Sequence, residues 1–262
     1  MGKKGSSRHK KRLSAPIAYP IPRKQGTFTI KPYPTRSTMG SSIPLGIVIR
    51  EILGYAKTLS EVKKILNRKM IKIDGKVQTS YKSSLSPMDI LEITKTDEYF
   101  RLTPYRGKRR FKLHPISKED AHLKLQRIKR KQTVKKNLIQ LTFHDGRNYL
   151  MNPEEEHKFP IPELAVKDSV MFNLEEKTIE DHYPFTEGNT ALIMGGHNVG
   201  LFGKIQEIET QSGRRTRTVT LETEMGEIKT TDHHLFVIGR DEPVIEIPQE
   251  VELVAEDAQD EL

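Results

Sequence analysis

Histidines crowd together only at Asp232-His233-His234. A zinc site needs three or four ligands at set spacings, and no further ligands accompany this trio, so it reads as a polar turn ahead of a strand. His144-Asp145-Gly146 puts an imidazole next to a carboxylate, a pairing suited to general acid–base work. Asp-Gly after an alternating segment is first of all a hairpin turn, however. The glycines between Gly195 and Gly203 invite comparison with a phosphate loop. That loop requires Gly, four residues, then Gly-Lys-Ser/Thr, so that amides wrap the phosphates and a hydroxyl reaches magnesium. Counting back from Gly203-Lys204 puts Asn198 at the first glycine position, and Ile205 replaces the hydroxyl residue. The loop reads as a strand connection whose glycines allow positive φ. No Ser-His-Asp set and no opposed carboxylate pair emerges. The absence of cysteine excludes disulfides and thiolate metal sites. No catalytic residue, metal ligand or cofactor is assigned.

The remaining chemistry is electrostatic. The chain carries 44 Lys and Arg against 35 Asp and Glu, a net charge of +9, and the distribution is uneven. Residues 1–40 hold Lys3, Lys4, Arg8, Lys10, Lys11, Arg12, Arg23, Lys24, Lys31 and Arg36, with His9 among them and no acid. Residues 241–262 hold nine acids and no Lys or Arg, which leaves 44 bases against 26 acids, or +18, on residues 1–240. A second basic run covers 97–136, densest at Arg106-Gly107-Lys108-Arg109-Arg110. A lone charge run is as often a solvated face. Two concentrations, one of them interleaved with Tyr19, Phe28 and Tyr33, point to a polyanion, with rings for bases and cations for phosphates.

These side chains need scaffolding. Residues 1–42 are broken by prolines and read as an extended basic arm that orders on RNA. In residues 43–96, Leu45, Val48, Ile49, Ile52, Leu53 and Ala56 keep helical spacing over one apolar face. Thr58-Leu59-Ser60-Glu61 is a capping box that opens a second helix. Its outer side carries Lys63, Lys64, Arg68 and Lys69. Ile71 to Ile73, Asp74-Gly75 and the return through Lys76 form a hairpin carrying Lys72 and Lys76, with a bulge expected after Gly75 to bring Val77 onto the apolar face. Residues 97–175 read as a basic, largely β region, with a helix expected from Ser117 through Ile128. Residues 176–240 read as a small β-barrel, and 241–262 as an acidic, disordered tail. The fold class is α+β multidomain, a helix–helix–hairpin module followed by mostly β domains. No run is long and apolar enough to span a membrane, and the N-terminus lacks a secretory pattern.

Taken together, residues 5–16 (GSSRHKKRLSAP), Ser42 to Leu45, Ile73 to Val77, Tyr99 to Arg101, 141–148 (LTFHDGRN), 188–205 (GNTALIMGGHNVGLFGKI) and Phe236 to Gly239 resemble ribosomal protein S4e of archaea and eukaryotes, its archaeal members most. The resemblance implies an S4-like RNA-binding module in the second region and a KOW motif around 188–205. It also implies small-subunit ribosomal RNA and neighbouring ribosomal proteins as partners, a place in the cytoplasmic ribosome, and no enzymatic activity, membrane or small-molecule substrate. RNA contacts are expected from the arm cations named above, from Lys63, Lys64, Arg68, Lys69, Lys72 and Lys76, from Arg106, Lys108, Arg109 and Arg110, and near Asn198 and Lys204. Lys10 departs from the family pattern, where Leu is expected after the histidine, and the acidic tail is stronger than expected. Two rivals share modules with this family. An RNA-modifying pseudouridine synthase would need a catalytic Asp, typically in Arg-Leu-Asp, but the chain has only Arg12-Leu13-Ser14 and Arg101-Leu102-Thr103. A KOW-type transcription-elongation factor would lack this arm and module.

Overall fold

In the computed structural model the described residues are 7–34, 38–107, 110–153, 159, 163–210 and 216–247. The expected contacts at Lys3, Lys4, Arg36, Lys108 and Arg109, and the tail from 248 onward, lie outside them.

Thr58 caps its helix as its spacing predicts. Its side chain accepts from the Glu61 amide, and the Glu61 carboxylate accepts from the Thr58 amide. That helix, α2 (Leu59–Asn67), buries Val62 and Leu66. The element before it is shorter than the periodicity suggests. One α-turn, α1 (Leu45–Ile47), runs into a wide turn over Val48–Ile52, closed by the Leu53 amide donating to the Val48 carbonyl five residues back. Gly54 then takes φ +68 and leaves the helical path. The predicted apolar face survives, because Leu45, Val48, Ile49 and Ala56 are all buried.

The arm folds back on this module. β1 (Lys10–Lys11) pairs with β2 (Phe28–Thr29). Ala15, Ala18, Tyr19, Ile21 and Ile30 join the core of Ile43, Leu45, Ile47, Val62 and Leu66. Tyr19, read as a base-stacking candidate, is therefore a core residue, its hydroxyl pushed above the ordinary phenol range by burial. Apolar groups between prolines thus find a surface of the module to bury against.

β3 (Ile43–Pro44) pairs with a later strand, β6 (Ser84–Leu85). Between them lie β4 (Ile71–Ile73) and β5 (Lys76–Val77). The bulge expected after Gly75 does not form. Lys72 faces Val77 and Ile73 faces Lys76 across a two-residue turn. Asp74 and Gly75 take φ +49 and +73, the doubly left-handed geometry that suits hairpin twist. Turn chemistry wins over burial of one side chain, and Val77 is left 43% exposed.

β7 (Ile90–Ile93), β8 (Glu98–Pro104) and β9 (Phe111–Pro115) complete the first sheet, ordered β5-β4-β7-β8-β9. It crosses the expected 96/97 boundary, since Ile93 pairs with Glu98. The second sheet contains β10 (Leu123–Thr133), β11 (Ile139–Phe143), β12 (Asn148–Met151), β13 (Ser169–Asn173) and β14 (Ile179–Tyr183), ordered β12-β11-β10-β13-β14. The β13–β14 hairpin likewise carries it across 175/176. The helix expected from Ser117 to Ile128 is a single tight turn, Asp120–His122, followed by β10. Its alternation is hidden because Lys124 and Gln126 are buried along with Leu125.

The third sheet holds β15 (Thr190–Ile193), β16 (Phe202–Glu209), β17 (Thr218–Thr223), β18 (Gly226–Thr231) and β19 (Leu235–Gly239), ordered β18-β17-β16-β15-β19. At Gly203 a Cβ would stand 2.1 Å from the Glu222 carbonyl oxygen, so β16 and β17 approach this closely only with glycine there. One apolar cluster holds Leu91 and Leu102 of the first sheet, another Phe143 and Val170 of the second, and a third joins Leu192 and Phe236 of the third sheet to Leu125 and Met171 of the second. Among the described residues no helix is long and apolar enough to cross a membrane.

Candidate nucleic-acid interface

The cations divide into those facing inward and those facing outward. Lys124 on β10 is fully buried, and its Nζ meets Asp74 Oδ2 at 2.8 Å, Asp89 Oδ1 at 2.6 Å and Asp145 Oδ2 at 3.1 Å. Arg147 adds Nη2 to Asp74 at 2.6 Å and Nε to Asp145 at 3.2 Å. Asp74 and Asp145 belong to two Asp-Gly hairpin turns in different sheets, so the ammonium ties the first sheet to the second. The carboxylate oxygens of Asp74, Asp89 and Asp145 lie within 4.8 Å of one another, close enough to hold a metal ion. The Lys124 ammonium takes the position between them.

The titration behaviour follows from this packing. Burial works against the charge on Lys124, but its three carboxylates outweigh burial and raise its pKa. Asp145 is held at about 2 because Lys124 and the Arg147 amide overcome burial. Asp74 is lowered as well, Lys124 and Arg147 together outweighing burial. Asp89 goes the other way, to about 6, driven by burial and by Asp74 in spite of Lys124. His144 falls to about 4, through burial and the Lys124 charge.

A raised carboxyl stabilises the fold when protonated. The Asp89 contribution is fully present below its ordinary 3.8 and is lost as pH rises through about 6. Asp89→Asn removes this dependence. Acidification from about pH 7 to about pH 5 should therefore favour the wild type over Asp89→Asn by about 1 kcal/mol, read from denaturation midpoints. His144, kept neutral in the fold, opposes acid stability in both proteins and cancels from the difference.

Two further cations are staples. Arg101 Nη2 donates to the Asp120 and Leu123 carbonyls at 3.2 and 2.9 Å. Arg127 Nη1 donates to the His233 and Leu235 carbonyls at 2.9 and 2.5 Å, fastening the second sheet to the third. Within the arm, Arg23 reaches the Ala15 and Pro16 carbonyls at 2.6 and 2.8 Å, and Arg12 reaches that of Pro22 at 2.8 Å. Arg12 and Arg23, expected as RNA contacts, thus hold the arm's own loops. Lys72 pairs with Glu92 at 2.6 Å, and Lys204 with Asp241 at 3.2 Å.

The outward set includes a cleft of about 410 Å³ lined by Ser7, His9, Lys10, Lys11, Ser14, Lys31 and Met39, in which the Lys31 ammonium also donates to the Ser7 carbonyl. The His9 ring is tilted against that of Phe28, with 5.4 Å between ring centres. Arg8 and Lys24 are exposed, as are Lys63, Lys64, Arg68, Lys69 and Lys76 on the module.

Elsewhere, two segments far apart in sequence meet. Gly200, at φ +90, approaches so closely that a Cβ would lie 2.6 Å from the Arg106 amide nitrogen. The loop after β15 therefore sits on the turn between β8 and β9. Arg106 also reaches Met225 of the β17–β18 turn. Arg110 and Asn198 are half-buried nearby in these same two segments.

Sequence reasoning missed Tyr81 and Lys82. The Lys82 ammonium lies 5.3 Å from the Tyr33 ring centre and 5.7 Å from that of Tyr81, and Lys63 lies 5.4 Å from Tyr81. The available signal was an aromatic–lysine pair within the otherwise polar Ser80-Tyr81-Lys82-Ser83.

Residues 96–179 match the family described as Ribosomal family S4e, and residues 4–34 match the RS4NT (NUC023) domain. The small ribosomal subunit protein eS4 of Aeropyrum pernix is 38% identical, over 95% of this chain and 98% of its own. That of Hyperthermus butylicus is 41% identical, over 95% and 98%. The crystal structure of the 30S ribosomal protein S4e from Thermoplasma acidophilum aligns with a TM-score of 0.61 and 28% identity, covering 76% of this chain and 95% of that one. An α+β chain that is mostly strand, with this much identity along nearly its whole length, is a member of a ribosomal protein class. The chain belongs to the S4e family of small-subunit ribosomal proteins.

Proposed function

We propose that this protein is a structural, non-enzymatic constituent of the small ribosomal subunit that holds ribosomal RNA at several points. The observation that carries the reading is the division of the cations. Arg101, Lys124, Arg127 and Arg147 are used up within the fold. A second population, including Arg8, Lys11, Lys24, Lys63, Lys64, Arg68, Lys69 and Lys76, faces solvent. Such an outward excess fits a phosphate backbone. The finer parts of the reading are an S4-like module around α1, α2 and the β4–β5 hairpin, and a KOW-type barrel built from the third sheet. Arm and module would clamp RNA at one place, and Arg106, Arg110 and Asn198 would meet it at another. Neighbouring ribosomal proteins in the cytoplasm would complete the surroundings.

The test is a salt titration of the free protein on a labelled fragment of small-subunit RNA. With six to ten phosphate contacts, affinity should fall roughly 10³–10⁵-fold between about 50 and 200 mM salt on a duplex, less steeply on single strands. An affinity flat with salt would contradict the reading.

A further inference from the structure

We propose that Tyr33 and Tyr81 form a receptor for one unpaired RNA base, with Lys63 and Lys82 taking the phosphates on either side. This rests on the RNA-binding reading above and adds to it the kind of nucleotide recognised.

Both rings are carried on fixed backbone. The Tyr33 amide donates to the Lys82 carbonyl at 3.1 Å, which pins the end of the arm to the loop between β5 and β6. The Tyr81 carbonyl accepts from the Gly46 amide at 2.9 Å. A Cβ at Gly46 would meet that carbonyl at 3.2 Å and the Tyr81 Cβ at 3.3 Å, so Tyr81 is seated directly on α1. Tyr33 is 52% exposed and presents a ring to solvent. The arm and the module, distant in sequence, thus each supply one tyrosine, and Lys82 stands within cation–π distance of both.

In the free protein the ammonium groups occupy the ring faces. An exposed cation–π contact is worth less than a nucleobase stacked on an aromatic side chain. A displaced ammonium would find a phosphate one bond away from the stacked nucleoside. RNA therefore gains from the rings and from the charges in one movement, and the rings lose little freedom because their backbones are already held. A paired stem keeps its bases inside the stack and presents no face to the tyrosines, whereas a bulge, loop or single strand does.

The experiment uses the full chain and fluorescence anisotropy on three labelled RNAs: a fully paired hairpin, the same stem with one bulged adenosine, and single-stranded oligoadenosine. Tyr33→Ala should weaken binding to the bulged and single-stranded RNAs about tenfold. Affinity for the paired stem should hold, and the salt slope should not change, because no phosphate contact is removed. Tyr33→Phe should bind like wild type. Tyr81→Ala should behave like Tyr33→Ala, with Tyr81→Phe keeping the packing on α1. Equal affinity of wild type and Tyr33→Ala for the bulged RNA, while wild type binds the paired stem with a steep salt dependence, would overturn the receptor and leave the RNA reading in place. Equal weakening on all three RNAs would also overturn it, pointing to docking of the arm. Wild type that binds none of the three would overturn both readings.

Discussion

Lys124→Ala should cost about 3–5 kcal/mol of folding stability, the loss seen when one partner of a buried ion pair is removed. Lys124 is wholly enclosed, and its ammonium is the cation shared by Asp74, Asp89 and Asp145. Without it, three carboxylates remain in a buried site with Arg147 as their countercharge, and the Arg147 guanidinium pairs with Asp74 and Asp145 but not with Asp89. Uncompensated carboxyls relieve themselves by taking up protons. The variant should therefore recover part of the loss as pH falls toward about 5, because raised carboxyl pKa values favour the fold below them. Exposed Lys64→Ala should stay within about 0.5 kcal/mol of wild type. Denaturant midpoints at two pH values measure both effects. A Lys124→Ala protein as stable as Lys64→Ala would mean the buried network contributes nothing.

The triple replacement of Lys10, Lys11 and Lys31 by alanine should have the largest effect on RNA affinity. The three line one cleft, and each phosphate contact contributes close to one unit of salt slope. The slope should fall by about 2–3, and affinity by roughly 10²–10³-fold at about 0.1 M salt. Arg127→Ala is the contrast. Its guanidinium is committed to the His233 and Leu235 carbonyls, so stability should drop while the salt slope holds. Equal slopes for the triple variant and wild type would remove the cleft from the interface.

What was legible in the sequence was local. Thr58 and Glu61 lie three residues apart and satisfy each other, and Asp74-Gly75 makes its turn from its own φ preferences. What was hidden depended on distant partners. Lys124 looks like one more member of a basic run until Asp74 and Asp89, 50 and 35 residues away, close around it. With Lys124 mistaken for an outward charge, the alternation of β10 could not be seen, and a helix was the natural reading. Arg12 and Arg23 likewise look like RNA contacts until folding of the arm aims them at its own carbonyls. Tyr33 and Tyr81 are 48 residues apart in sequence and share Lys82 only because the arm returns to the module. The turn after β8, read as basic, and the glycine loop after β15, read as a strand connection, become one surface through the close approach at Gly200.

The central claim is that the outward charge of this chain belongs on small-subunit RNA. The most direct measurement is sedimentation of cell extract through a gradient at physiological magnesium, with the protein followed by immunoblot. The account predicts that it travels with small ribosomal subunits and leaves them when salt is raised. Finding it only at the top of the gradient, or only with RNA polymerase, would contradict the account.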